Sequence, residues 1–131
     1  MRVDGWSRPW NLRGDRAVGG APPATLWASD PAGFGQVGCV YTAQGLEYDW
    51  NGVILGPDLV WRGAQGGWFA RREHNRDPDF RSRTTVSDDE FAHLVRNVYK
   101  VLLTRGMRGT LIHSTDAETR DLLGSLVHPA R

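Results

Sequence analysis

Cysteine and lysine are almost missing from this chain: Cys39 is the only cysteine and Lys100 the only lysine among 131 residues. One cysteine cannot form an intrachain disulfide, and such usage fits the reducing cytoplasm, where the protein is expected to reside. The single lysine follows Tyr99 rather than a glycine, so the sequence holds no Gly-x-x-x-x-Gly-Lys-[Ser/Thr] phosphate loop. Long apolar runs are lacking too. The best of them, Val37 to Tyr41 and Val53 to Leu55, are strand-sized and far short of the about 18 residues that span a bilayer, so no membrane association is expected. Met1 to Trp6 has no apolar stretch and no small-residue cleavage site, and no export signal is expected. Neither sign of charge is in excess: 16 Lys and Arg face 15 Asp and Glu, for a net charge of +1. That balance excludes a global field drawing the chain onto nucleic acid or anionic lipid, and any such binding has to be local.

What is present suffices for a core, since 40% of the residues are hydrophobic in a chain of ordinary domain size. Residues 1–35 are rich in Gly, Pro and Trp, with Gly19-Gly20-Ala21-Pro22-Pro23 at their centre, and are expected to form an irregular arm packed on a body of residues 36–131. Its Trp6, Trp10 and Trp27 are open to two roles, cover for the core or a surface for a partner. Val37-Gly38-Cys39-Val40-Tyr41 is an apolar, β-branched run that predicts a strand buried in a parallel sheet. Val53-Ile54-Leu55 predicts a second strand ending at the turn Gly56-Pro57-Asp58, and Leu59–Trp61 with Trp68–Ala70 predicts a hairpin around Gly63 to Gly67. Arg71 to Arg83, five arginines among Asp77, Pro78 and Asp79, is expected to be an exposed loop.

Ser87-Asp88-Asp89-Glu90 has the spacing of a capping box, and Phe91, Leu94, Val95, Val98 and Leu102 follow at helical intervals up to a stop at Gly106. Gly109 to His113 predicts another strand, and Thr115-Asp116-Ala117-Glu118 repeats the capping spacing before Leu122, Leu123 and Leu126. Strands separated by helical segments imply parallel pairing through right-handed crossovers, hence an α/β layered sheet, mainly parallel, with flanking helices.

Several chemistries fail on context. Gly33-Phe34-Gly35-Gln36-Val37-Gly38 has the glycines of a dinucleotide fingerprint, but that motif needs a strand before it and a helix after it, and here an expected strand follows. No Gly-x-Ser-x-Gly elbow exists, and Cys39 among valines reads as an inert thiol. His74, His93, His113 and His128 show no metal-ligand spacing, and the loop grouping of His74, Asp77 and Asp79 reads as solvated; no metal site is expected. A nuclease of the Pro-Asp…(Asp/Glu)-x-Lys type beginning at Pro57-Asp58 fails because Val98, not an acid, lies two residues before Lys100.

Two segments carry more than packing requires. Tyr41-Thr42-Ala43-Gln44-Gly45-Leu46-Glu47-Tyr48-Asp49 sets mixed polar residues directly after an expected strand, at the carboxyl edge where α/β sheets bind ligands. A short capped helix with Gln44 and Glu47 in solvent is the alternative. Leu102-Leu103-Thr104-Arg105-Gly106 ends the long helix on an arginine, which is open either to a contact with the helix dipole or to a ligand.

Taken together, these segments resemble motifs five and six of the superfamily-one helicases. Cys39 to Asp49 resembles a motif running Thr-Val-His-x-x-Gln/Lys-Gly-x-Glu-Phe-Asp, and Tyr99 to Arg105 resembles Tyr-x-Ala-x-Thr-Arg. The likeness is closer to the Schlafen-like DNA/RNA helicase domain family, formerly a domain of unknown function, whose C-terminal part carries Cys-Val-Tyr-Thr-Ala-Gln-Gly-x-Glu, Gly-Pro-Asp-Leu and Arg-Asn-x-Tyr-Lys-Val-Leu-Leu-Thr-Arg-Gly in this order. Here they stand at Cys39 to Glu47, Gly56 to Leu59 and Arg96 to Gly106, within a resemblance extending from Trp6 to Val127.

The resemblance implies the C-terminal RecA-like half of a helicase or NTPase, whose partner would be an N-terminal P-loop RecA-like domain that this sequence does not contain. ATP and Mg²⁺ would then be held only in a composite site between the halves, with neither bound by this chain alone, and the isolated chain would be inactive. Arg105 would be the arginine finger that stabilises charge on the transferring phosphoryl group. Gln44, Gly45, Glu47 and Thr104 would line the nucleotide, with Glu47 suited to a ribose hydroxyl. Cys39 stands where the helicase motif has threonine and Tyr41 where it has histidine, so contact with DNA or RNA there would fall to Tyr41, Thr42 or Trp50, with core packing the alternative for Tyr41 and Trp50. The competing function is a stand-alone module binding nucleic acid or protein, a degenerate helicase remnant.

Overall fold

The computed structural model describes residues 1–127 of the chain, and His128 lies outside them. In chain order the elements are β1 (Arg2–Val3), β2 (Trp6–Ser7), α1 (Val40–Ala43), β3 (Tyr48–Leu55), β4 (Leu59–Arg62), β5 (Gly67–Ala70), α2 (Pro78–Arg81), α3 (Asp88–Leu103), β6 (Gly106–Ser114) and α4 (Ala117–Leu126). The fold is mixed α/β, and its three sheets among the described residues have two strands each.

Helix α3 forms where the capping box predicts it. The Ser87 side chain accepts the Glu90 backbone N–H, and the Glu90 carboxylate accepts the Ser87 backbone N–H at 2.9 Å, so two otherwise orphaned donors are satisfied together. Phe91, Val95 and Tyr99 recur at four-residue intervals and are buried, which turns one face of the helix into the core. They pack with Val53, Leu55 and Leu59, and Trp68, Phe80, Val86, Leu102 and Leu123 close around them. The helix ends at Leu103, one turn earlier than Gly106, because Thr104 caps it; Gly106 instead opens β6.

Strands β3 and β6 are parallel, with Tyr48 opposite Gly106, Asn51 opposite Thr110 and Leu55 opposite Ser114. The crossover between them contains the antiparallel β4–β5 hairpin, where Trp61 meets Trp68 edge to face at 5.8 Å, and α3 itself. Helix α4 starts one residue later than the Thr115 spacing suggests. Asp116 is its cap: the carboxylate accepts the Thr119 N–H at 2.9 Å and the Thr119 hydroxyl at 2.7 Å, and takes both guanidinium nitrogens of Arg62 at 2.9 Å. Those bonds, the Arg62 pairing first, hold its carboxyl well below the usual carboxylate range.

Two sequence expectations are overturned. Val37 to Tyr41 is not a buried strand: Val37 makes a single bridge to Trp10, and the chain turns into α1 at Cys39. Thr42 causes the turn by reaching back from the third helical position, its hydroxyl accepting the Cys39 N–H at 3.1 Å. The stretch from Arg71 to Arg83 is not simply a solvated loop either. Arg72 is buried; it donates to the carbonyls of Phe80, Val86 and Ser87 and to the Asp88 carboxylate, and its guanidinium lies 4.4 Å from the Phe91 ring centroid.

The arm is held to the body at defined points. Trp10 pairs with Val37 through Asn11 N–H to Val37 C=O at 2.8 Å and Val37 N–H to Pro9 C=O at 2.9 Å, and the buried Asn11 side chain accepts from the Thr42 hydroxyl. The Trp27 ring lies against Gly38, where any side chain would collide with it, and meets Tyr48 edge to face at 6.4 Å. Among the described residues no helix is long and apolar enough to cross a membrane.

Candidate functional site

The last four carbonyls of an α-helix have no partner within the helix. At the end of α3 every one of them is occupied. Lys100 C=O accepts the Thr104 hydroxyl at 2.9 Å, Val101 C=O the Arg105 Nε at 3.0 Å, Leu102 C=O the Asn51 amide at 2.6 Å, and Leu103 C=O the Thr110 hydroxyl at 3.1 Å. Asn51 belongs to β3 and Thr110 to β6, so the parallel pair clamps the helix end from which Arg105 emerges.

Half-buried Arg105 thus makes the helix-end contact that its position allows, through Nε, and reaches the Thr104 hydroxyl with one terminal nitrogen at 3.3 Å. Among the described residues no carboxylate pairs with it, whereas Arg62, Arg71, Arg72 and Arg83 each face one.

The Gln44–Glu47 segment reaches the same place from the other side. Gln44 ends α1, its N–H bonded to Val40 C=O at 2.9 Å, and Gly45 follows with φ +81°, a left-handed turn that a side chain would strain. Glu47 is exposed, and the next residue, Tyr48, donates its N–H to the Arg105 carbonyl at 2.9 Å. Glu47 therefore directly precedes the residue bonded to the Arg105 backbone, and Gln44 and Gly45 form the turn just before it. They lie at the edge of the sheet where β3 and β6 begin, not at the carboxyl edge that the predicted strand at Val37 to Tyr41 implied, because that run makes one bridge at Val37 and then turns into α1.

Tyr48 carries a signal that motif spacing does not assign. Its hydroxyl is buried with no hydrogen-bond partner, and burial pushes its ionisation up while the Arg105 charge pulls the other way. An aromatic at the first residue of a strand, next to an acid, was the only trace of it in the sequence. The ring packs edge to face on Trp27, so the hydroxyl is an unmet polar group inside the contact between arm and body.

The residues expected to touch nucleic acid are less concentrated. Tyr41 donates its hydroxyl to Asp77 at 2.8 Å and sits near Asp79, and these acids push its ionisation up to about 12. The Thr42 hydroxyl is engaged in capping α1 and in bonding Asn11. Trp50 is 61% exposed on β3, with its ring over Gly109 of β6. Tyr99 proves structural: its buried hydroxyl donates to Asp58 at 2.7 Å and accepts the Gly56 N–H at 2.9 Å, which ties α3 to the Gly-Pro-Asp turn. Among the described residues no three His, Cys, Asp or Glu side chains gather to hold a metal.

An uncharacterised protein of Saccharomyces cerevisiae, YPL245W, is 32% identical over 102 residues, which cover 76% of this chain but 22% of the relative, so the chain spans about a fifth of that protein's length. No solved structure matches the chain significantly. The family model described as Schlafen group 3, DNA/RNA helicase domain, matches residues 1–116, and the chain belongs to that family.

Proposed function

We propose that this chain is the C-terminal, RecA-like half of an ATP-driven DNA/RNA helicase or NTPase, and that it supplies one wall of a composite nucleotide site. One observation carries the proposal. The hydrogen bond from Tyr48 N–H to the Arg105 carbonyl, with Tyr48 opposite Gly106 in the parallel register, joins the two motif segments at one sheet edge beside a guanidinium that no described carboxylate neutralises.

In this role Arg105 is the finger toward the terminal phosphate, with Thr104 and the occupied helix-end carbonyls holding its stem. Gln44, Gly45 and Glu47 form the turn against the nucleotide, with Glu47 accepting from a sugar hydroxyl. ATP supplies the reactive phosphoanhydride when bound; in this reading the P-loop and the acids for Mg²⁺ belong to the partner half.

The test is steady-state ATP hydrolysis by the chain alone, by the chain with its P-loop half, and by the Arg105→Ala and Arg105→Lys variants of that assembly. The isolated chain is expected to show no turnover. Removing an arginine finger lowers kcat by about 10³- to 10⁵-fold, and lysine is not expected to restore it. Hydrolysis by the isolated chain, or an assembly whose kcat ignores Arg105→Ala, would refute the composite site.

A further inference from the structure

The core is built without the arm. Val53, Leu55, Leu59, Phe91, Val95 and Tyr99, and the side chains packed on them, all come from the body. Of residues 1–35 only Asn11, Pro22 and Gly33 are buried, and none of them brings a large apolar side chain. The arm still has structure of its own: Arg8 N–H donates to Met1 C=O at 3.1 Å, Ala24 N–H to Gly14 C=O at 3.0 Å, and Gly33 N–H to Asp30 C=O at 2.9 Å. A segment with internal bonds but little buried apolar contact to the rest is one that opens as a unit, at a fraction of the cost of global unfolding.

The arm meets the body through the backbone pair at Val37, the bond from Thr42 to Asn11, and Asp4, which approaches His113 at 3.7 Å with both side chains exposed. Its apolar seat is Trp27. Gly33 braces that residue from within the arm, so close to the Trp27 carbonyl that no side chain fits, and the ring lies over Gly38 and against Tyr48. The seat is imperfect. Trp27 Nε1 and the Tyr48 hydroxyl are buried without a hydrogen-bond partner, as is Gln36 Oε1 at the join of arm and body. Buried polar groups in native structures almost always find partners, and each that does not favours whatever state lets water reach it. Here that state is the arm lifted from the body.

We propose that residues 1–35 are a strap that lifts off a body that stays folded, with Trp27 as its latch. Lifting bares Gly38 and Tyr48, and Tyr48 adjoins Arg105 through its N–H bond to the Arg105 carbonyl, so the arm controls access to that side of the sheet edge. The strap rests on the arm's own contacts and does not depend on the nucleotide site.

Native-state amide hydrogen exchange of the full chain, followed by NMR, reads the opening. The Asn11 and Val37 N–H groups report the pairing of arm with body, and those of Val95 and Tyr99 report α3. Asn11 and Val37 are expected to be protected about a hundredfold less than Val95 and Tyr99. Urea below the unfolding midpoint is expected to speed the α3 amides steeply and the arm amides weakly, because the slope follows the area exposed. Tyr48→Phe keeps the ring and removes one orphaned hydroxyl, and it is expected to slow exchange at Asn11 and Val37 about tenfold. Gly38→Ala sets a methyl against the Trp27 ring and is expected to speed it about tenfold. Arm amides as slow as those of α3, or equal urea slopes for the two sets, would mean one cooperative unit and overturn the proposal. So would a Tyr48→Phe variant whose arm amides exchange at the parent's rate or faster, the result expected if water already bridges that hydroxyl. If Gly38→Ala does not fold, the urea slopes of the parent and the Tyr48→Phe variant decide the matter.

Discussion

Arg72→Ala is expected to destabilise the fold more than any substitution of an exposed arginine. The side chain makes hydrogen bonds of 2.6, 3.0 and 2.8 Å to the carbonyls of Phe80, Val86 and Ser87, and a two-nitrogen contact with Asp88 at 3.1 and 3.0 Å. Charge-assisted bonds contribute about 1.5–3 kcal/mol each in isolation, but bonds sharing one guanidinium do not add. The Asp88 side chain is 71% exposed and returns to water when its partner goes, so that share is small. What remains is the three carbonyls, the contact with the Phe91 ring and the space left behind, together about 3 kcal/mol. That is a large part of the about 5–15 kcal/mol available to a domain and corresponds to a Tm about 10 °C lower. Arg72→Lys keeps the charge but not the planar fork and is expected to lose about 2 kcal/mol. Thermal and urea denaturation followed by circular dichroism give both numbers. An Arg72→Ala variant within about 1 kcal/mol of the parent, or a lysine variant equal to it, would refute the view that this arginine fastens the segment to α3.

Two predictions concern pH. All three tyrosines ionise late: Tyr41 at about 12 because of Asp77, Tyr99 upward through burial and Asp58, Tyr48 upward through burial. Absorbance titration at the phenolate band is therefore expected to show little ionisation at about pH 10, where free tyrosine is half converted, and stability to fall as pH rises from there because the unfolded chain releases those protons first. A free-tyrosine titration curve in the folded protein would contradict this. At the acid end, Asp116 is held well below its unfolded value, so its contribution is present at neutral pH and is lost as pH falls below about 4. Asp116→Asn is expected to lower Tm at pH 7 and to flatten the acid limb, and a parent-like acid limb would count against this role.

Much of the fold was legible because its signals were local. The Ser87–Glu90 box and the four-residue spacing of Phe91, Val95 and Tyr99 lie within one helix, and the β4–β5 hairpin lies within twelve residues of chain. Val37 to Tyr41 misled because a short apolar run does not distinguish strand from helix. The hydroxyl that settles it belongs to Thr42, and the Asn11 that engages Thr42 comes from the distant arm. Asp116 displaced Thr115 as a cap because its carboxylate also had Arg62 to meet, a contact 54 residues apart. That the chain after Glu47 adjoins Arg105 at the edge where β3 and β6 begin was not legible, since it follows from the parallel register of Tyr48 with Gly106. Tyr48 was missed because an orphaned hydroxyl exists only in three dimensions.

The parallel pairing of β3 with β6 also bears on how the chain folds in time. Tyr48 and Gly106 are separated by about 58 residues, and closing a flexible loop of that length costs about 4 kcal/mol of chain entropy beyond a constant. The intervening hairpin and α3 make their own local contacts and shorten the disordered span if they form first. On that route the crossover condenses and then carries β6 back to β3, and the surface around Arg105 is assembled last. Substitutions that weaken α3 are thus expected to delay the appearance of the candidate site more than substitutions within the site itself, an ordering imposed by topology rather than by chemistry.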